Sequence, residues 1–173
     1  IGARDVPALS PPSGEGFVKN REIDSVTIDT SFIGRGDDVS AIVTQLTATS
    51  NNESLSVLPI VGMGGIGKTT LARKVFNELK IDIHFDKTIW VCVSDDFNVN
   101  RLFDLILESW QVQKPGVEGR EAKLKQLKKL LDGKKFLLVL DGVWNEKPTL
   151  WNEFLGALKG TSPSMGSWIL LTR

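Results

Sequence analysis

Gly62-Met63-Gly64-Gly65-Ile66-Gly67-Lys68-Thr69-Thr70 has the form G-x-x-x-x-G-K-T. It follows the short apolar run Leu55–Val61 and precedes Leu71, Val75 and Leu79, which stand four apart with Ala72 and Phe76 beside them. The pattern predicts a buried strand, a glycine turn and a helix over Lys68–Leu79 with one apolar face. Each residue of the turn has a physical purpose if the ligand is a polyphosphate. Glycines permit positive φ and let the main chain approach phosphate oxygens with no Cβ between. Successive N–H groups then form an anion nest, reinforced by the positive end of the helix that starts near Lys68. Lys68 carries an ammonium to the β- and γ-phosphates, and the Thr69 hydroxyl can ligate Mg²⁺. The competing reading is a glycine turn without a ligand; the complete spacing in a strand–turn–helix setting stands against it.

Further along, Phe136–Leu140 is an entirely apolar strand delivering Asp141 at its C-terminal end. Ligand groups of parallel sheets gather at that edge, so Asp141 is the candidate partner of Thr69 in holding a metal, a helix-cap or turn aspartate being the plainer alternative. Thr88–Val93 and Trp168–Thr172 read as two more strands, the former a second buried one. Between the strands, residues about Asp37–Leu46 and Val99–Trp110 read as helices. Leu124, Leu127 and Leu131, closed by Gly133, and Trp151, Phe154, Leu155 and Leu158 mark two more. Strands alternating with helices through crossover-length connections predict an α/β fold: a P-loop NTPase with an open parallel sheet and helices on both faces. Because the chain ends on a strand, the sheet is expected to be cut short at the C-terminus. Residues 1–30, interrupted by Pro7, Pro11, Pro12, Gly14 and Gly16, read as a linker or tail before a nucleotide-binding unit over 31–173.

Composition removes several function classes. Twenty-one basic residues balance twenty-one acidic ones, giving no reason to expect a polyanion-coating protein. Lys123, Lys125, Lys128, Lys129, Lys134 and Lys135 cluster, but without interleaved aromatics they read as a solvated helix face rather than a nucleic-acid surface. No apolar run reaches the length of a membrane span. The single cysteine, Cys92, excludes an internal disulfide framework and favours a reducing compartment, and is read as a small core residue. His84 is read as a surface loop residue with no nucleophile beside it. Asp95 and Asp96 are expected to cap the helix that follows them. No Asn-Lys-x-Asp segment occurs, so guanine is disfavoured and adenine is the expected base.

Phe32-Ile33-Gly34-Arg35, Gly62–Thr70, Phe85–Ser94 and Phe136–Trp144 occur here in the order and spacing of plant disease-resistance proteins. The chain resembles, over about residues 30–173, the first part of the NB-ARC module of nucleotide-binding leucine-rich-repeat receptors. Trp144 resembles the coiled-coil class of that family. The resemblance implies an intracellular, cytoplasmic switch that rests with ADP, is activated by ATP and resets by slow hydrolysis. It implies that the strand ending at Arg173 lies between those of Val57–Val61 and Phe136–Leu140. It further implies that Ile33 and Arg35 line the adenine and ribose side. Gly62, Gly64, Gly65, Ile66, Gly67, Lys68, Thr69 and Thr70 would hold phosphates and Mg²⁺, with Lys68 and Asp141 as catalytic groups. Thr69 and Asp141 would take the metal, and Arg173 would sense the γ-phosphate. The implied partners are the other domains of the same receptor: coiled coil, ARC and leucine-rich repeats. Two positions depart from the family pattern. Gly142 stands where a second acidic residue is usual, which predicts nucleotide binding with weak or absent hydrolysis unless Glu146 or a water network substitutes. One threonine, Thr172, precedes Arg173 where two are usual. The alternatives are a non-hydrolysing nucleotide-binding scaffold and a P-loop small-molecule kinase, for which Arg101 and Arg120 alone make a thin lid.

Overall fold

The computed structural model describes residues 34–48, 53–93, 97–110, 119–144 and 147–173. The expected 1–30 tail and Ile33, Asp95, Asp96 and Glu146 lie outside the described residues. In chain order the elements are α1 (Gly36–Leu46), β1 (Leu55–Ile60), α2 (Lys68–Phe76), α3 (Leu79–His84), β2 (Lys87–Cys92), α4 (Val99–Ser109), α5 (Arg120–Leu131), β3 (Phe136–Asp141), α6 (Pro148–Lys159) and β4 (Ser167–Thr172). The four strands form one sheet in the order β1-β4-β3-β2, every neighbouring pair parallel. The last strand in sequence is therefore inserted between the first and the third, as the family resemblance implied.

Side-chain alternation along the central strands explains why helices cover both faces. Leu137, Val139, Trp168 and Leu170 pack with Val39, Val43, Leu71, Val75 and Ile81 from α1, α2 and α3. Phe136, Leu138, Leu140, Ile169 and Leu171 pack on the opposite side with α4, α5 and α6, through Phe103, Ile106, Leu127, Leu131, Phe154 and Leu158. A strand buried on both sides can be apolar at every position, which is the composition of β3 and β4.

Local chemistry places the helix ends. Asp37 and Asp38 occupy the first turn of α1, where negative charge meets the positive end of the helix. At α4 the Asn98 side chain accepts the Arg101 N–H at 3.1 Å, so the cap of this helix is Asn98. Gly133 follows α5 at φ +67°, the left-handed conformation expected of a glycine that ends a helix. The lysine-rich face of α5 is largely solvated, although Lys123 Nζ reaches both Asp104 carboxylate oxygens of α4, at 2.7 and 2.8 Å. Arg120 pairs with Glu153 of α6.

Several expectations need correction. β1 is not a buried strand: among the described residues it pairs with β4 alone, and Val57 is 38% exposed. Pro59, which has no N–H to donate, belongs on such an edge. β2, at the other edge, is buried only at alternate residues. The helix expected over Lys68–Leu79 stops at Phe76, where the Asn77 N–H caps back to Arg73 and Glu78 turns to an extended conformation. The four-residue apolar repeat misled because Leu79 begins a separate helix and is 70% exposed. Cys92 is half-buried at the end of β2 and thus peripheral to the core.

His84 closes α3 and is half-buried, with its ring edge-on to Phe85 at 4.9 Å. Its imidazole titrates below the ordinary value of 6.5, through burial first and the Lys135 ammonium second. Between the folded and unfolded values the unfolded chain binds more protons, so stability rises with pH there. The contribution is complete above 6.5 and is lost as pH falls through the folded value. Denaturant unfolding between about pH 7.5 and 5.5 is expected to show this loss, and His84→Asn to reduce it. An unchanged pH slope in the variant would refute the assignment. No helix among the described residues is long and apolar enough to cross a membrane.

Candidate functional site

The loop from Val61 to Gly67 joins the C-terminal end of β1 to the start of α2. Its base is held by the sheet: the Arg173 N–H donates to Ile60 O at 2.9 Å, and the Gly62 N–H donates to Arg173 O at 3.1 Å. Gly65 and Gly67 have φ of +78° and +89°. Gly67 is the residue before α2, so its left-handed backbone sets the direction in which the helix amides point. The first backbone bond of that end runs from the Leu71 N–H to Gly67 O at 2.9 Å. The Lys68, Thr69 and Thr70 N–H groups precede it and have no intrahelical acceptor. Lys68 lays its ammonium beside the loop, donating to Gly62 O at 2.8 Å and Met63 O at 2.7 Å. Amide donors, a helix end and an ammonium thus share one small, partly exposed volume, the electrostatic setting for an anion.

Asp141 closes this site from the next strand but one. Thr69 donates its hydroxyl to Asp141 Oδ1 at 2.7 Å, across 72 residues of sequence. The register Cys92↔Asp141 and a bond from the Val93 N–H to Asp141 O at 2.8 Å fix the carboxylate at the C-terminal edge of the sheet. A hydroxyl and a carboxylate are hard oxygen donors, the kind Mg²⁺ takes when it completes its shell with waters and phosphate oxygens. The donor set therefore fits that ion.

Of the residues singled out from sequence, the structure brings together Gly62, Gly64, Gly65, Ile66, Gly67, Lys68, Thr69, Thr70, Asp141 and the main chain of Arg173. Arg35 stands at the start of α1, half-buried, where its carbonyl accepts the Val39 N–H at 3.1 Å. Among the described residues Arg35 makes no bond to the loop, and Ile33 lies outside the described residues. One participant was not anticipated. Thr172 donates its hydroxyl to Asp141 Oδ1 at 2.6 Å and accepts the Gly142 N–H at 2.8 Å. Its signal in the sequence is a lone hydroxyl ending the apolar run Trp168–Leu171, beside Arg173.

Comparison with known proteins gives a consistent pattern. The NB-ARC domain profile matches residues 35–173. The putative disease resistance protein RGA4 of Solanum bulbocastanum is 40% identical over 163 residues, covering 90% of this chain and 16% of that protein. The disease resistance protein RGA2 of the same species is 45% identical over 148 residues, covering 80% of this chain and 14% of that protein. The probable disease resistance RPP8-like protein 2 of Arabidopsis thaliana is 36% identical over 157 residues, covering 90% and 16%. The chain thus spans about a sixth of the length of these relatives. Among solved structures, the Aeropyrum pernix ORC2 protein in its ADPNP–ADP complexes superposes with a TM-score of 0.55 at 21% identity. The match covers 89% of this chain and 45% of that one, and shows a shared fold.

Proposed function

Because the chain belongs to the NB-ARC domain family of plant disease-resistance proteins, we propose that it is the adenine-nucleotide-binding switch unit of such a receptor. The observation that carries this reading is the 2.7 Å contact between Thr69 and Asp141, made at the mouth of a glycine loop whose lysine lies beside it. In this reading the amides of Gly65, Gly67, Lys68, Thr69 and Thr70 receive phosphate oxygens. The Lys68 ammonium exchanges its two loop carbonyls for the β- and γ-phosphates, at modest cost because the loop carbonyls lie near solvent. Thr69 and Asp141 would hold Mg²⁺, which would supply charge neutralisation to the bound polyphosphate. Arg35, together with Ile33, serves the adenine and ribose side, and Arg173 serves the γ-phosphate. The unit over 31–173 works in the cytoplasm with the coiled coil, ARC and leucine-rich-repeat parts of the same receptor.

Titration of the chain with ADP and ATP, alongside Lys68→Ala, tests the site. The variant is expected to lose affinity by about ten- to a hundredfold, the weight of one or two charge-assisted hydrogen bonds. Equal affinity in both proteins would remove the assignment.

A second reading is favoured by Gly142, which stands where the family carries an acid. Here the unit binds nucleotide and never cleaves it, acting through the surfaces it presents to neighbouring receptor domains. Single-turnover cleavage separates the two readings.

A further inference from the structure

Asp141 Oδ1 accepts two hydroxyl hydrogens at once, from Thr69 at 2.7 Å and from Thr172 at 2.6 Å. The Thr172 oxygen in turn accepts the Gly142 N–H at 2.8 Å. A continuous chain of donors therefore runs from the main chain after β3, through the end of β4, to the carboxylate and on to the first turn of α2. Thr172 is well placed for such a link. It is 2% exposed, its carbonyl accepts the Val143 N–H at 2.8 Å, and its strand neighbour across the sheet is Ile60. β-Branching limits its χ1 choices further, so its hydroxyl is aimed by the backbone rather than free to search. Among the described residues Asp141 Oδ2 receives no such donor, which leaves the two carboxylate oxygens unequal.

We infer that Thr172 is a positioning residue for the metal-side carboxylate. With Oδ1 engaged by two hydroxyls, Asp141 is held in one rotamer, and Oδ2 is the oxygen available to a divalent cation or its water. Thr172 touches neither nucleotide nor metal in this assignment; it acts through Asp141. The inference rests on the nucleotide reading above and adds a residue to it.

The experiment measures ADP affinity of the whole 173-residue chain with Mg²⁺ and with EDTA, for the unmodified protein, Thr172→Val and Thr172→Ser. Valine keeps the shape and branching of threonine but neither donates nor accepts. The expected result is that Mg²⁺ tightens ADP binding in the unmodified chain and that Thr172→Val loses about tenfold of that tightening. Its affinity in EDTA should be unchanged, and Thr172→Ser should retain the metal effect. A purely structural role would weaken both conditions alike. Thr172→Val with undiminished Mg²⁺ dependence, or Thr172→Ser as impaired as Thr172→Val, would overturn the assignment while leaving the nucleotide reading intact. An unmodified chain that binds no ADP, or a Lys68→Ala chain that binds it equally, would overturn both. Should the valine variant fail to fold, the hydroxyl proton of Thr172 in the unmodified chain decides by NMR. Slow exchange and a shift on adding Mg²⁺ to the ADP complex support the link, and neither being seen overturns it.

Discussion

Gly142→Asp is expected to raise single-turnover cleavage of ATP by about two to four orders of magnitude, the range over which a positioned general base acts. The backbone around Gly142 strains any side chain, and aspartate bears that strain better than most. The Gly142 φ is +76°, a region in which aspartate and asparagine are the best tolerated side-chain-bearing residues. A Cβ there would meet Val93 O at 3.6 Å, an ordinary contact. The Gly142 N–H would keep its bond to Thr172, so the Asp141 geometry should survive. Gly142→Asn supplies the control, with the same backbone demands and no carboxylate, and should gain nothing. If both variants bind ATP and neither cleaves it, the switch reading gives way to the non-hydrolysing scaffold.

Phe154→Ala is expected to destabilise the fold by about 3–5 kcal/mol, a large share of the 5–15 kcal/mol typical of a whole domain. Phe154 is fully buried on α6 and is the meeting point of an aromatic group. It stacks on Phe103 of α4 at 5.8 Å, meets Phe97 edge-on at 6.2 Å and Trp151 at 6.0 Å. Rigid rings on three sides cannot collapse into the space, so the cost should fall near the upper part of the large-to-small range. Urea unfolding checks it, and a loss under 1 kcal/mol would show that the ring cluster adds little beyond area. Substitution of Asn152, on the exposed face of α6, should be indifferent, which separates a packing effect from loss of the helix.

Much of this was legible from residues alone. β3 and the loop could be read because their signals are local: an unbroken apolar run ending in Asp141, and glycines at fixed offsets from Lys68. The juxtaposition of Thr69 with Asp141 followed once a parallel sheet was inferred, since both lie at the same edge. The family resemblance, rather than periodicity, supplied the position of β4. Exposure of β1 was missed although its signal, Pro59, lies inside Leu55–Val61: a residue with no N–H to donate favours an edge. The break at Asn77 was hidden by Leu79, which continues the repeat by coincidence of spacing and faces solvent. Thr172 escaped because its role depends on a side-chain bond across the sheet that no one-dimensional pattern encodes.

Placing the last strand beside the first has a consequence for synthesis on the ribosome. Leu55 finds its partner Ser167 more than a hundred residues later, and Gly62 finds Arg173. While the nascent chain is still short of that point, β1 has no neighbour in this sheet and the glycine turn has nothing to brace it. Closing so long a loop carries an entropic penalty that only the completed pairing offsets. Ligand competence should therefore appear abruptly, at the moment the six residues of β4 clear the exit tunnel, rather than in proportion to the length already made.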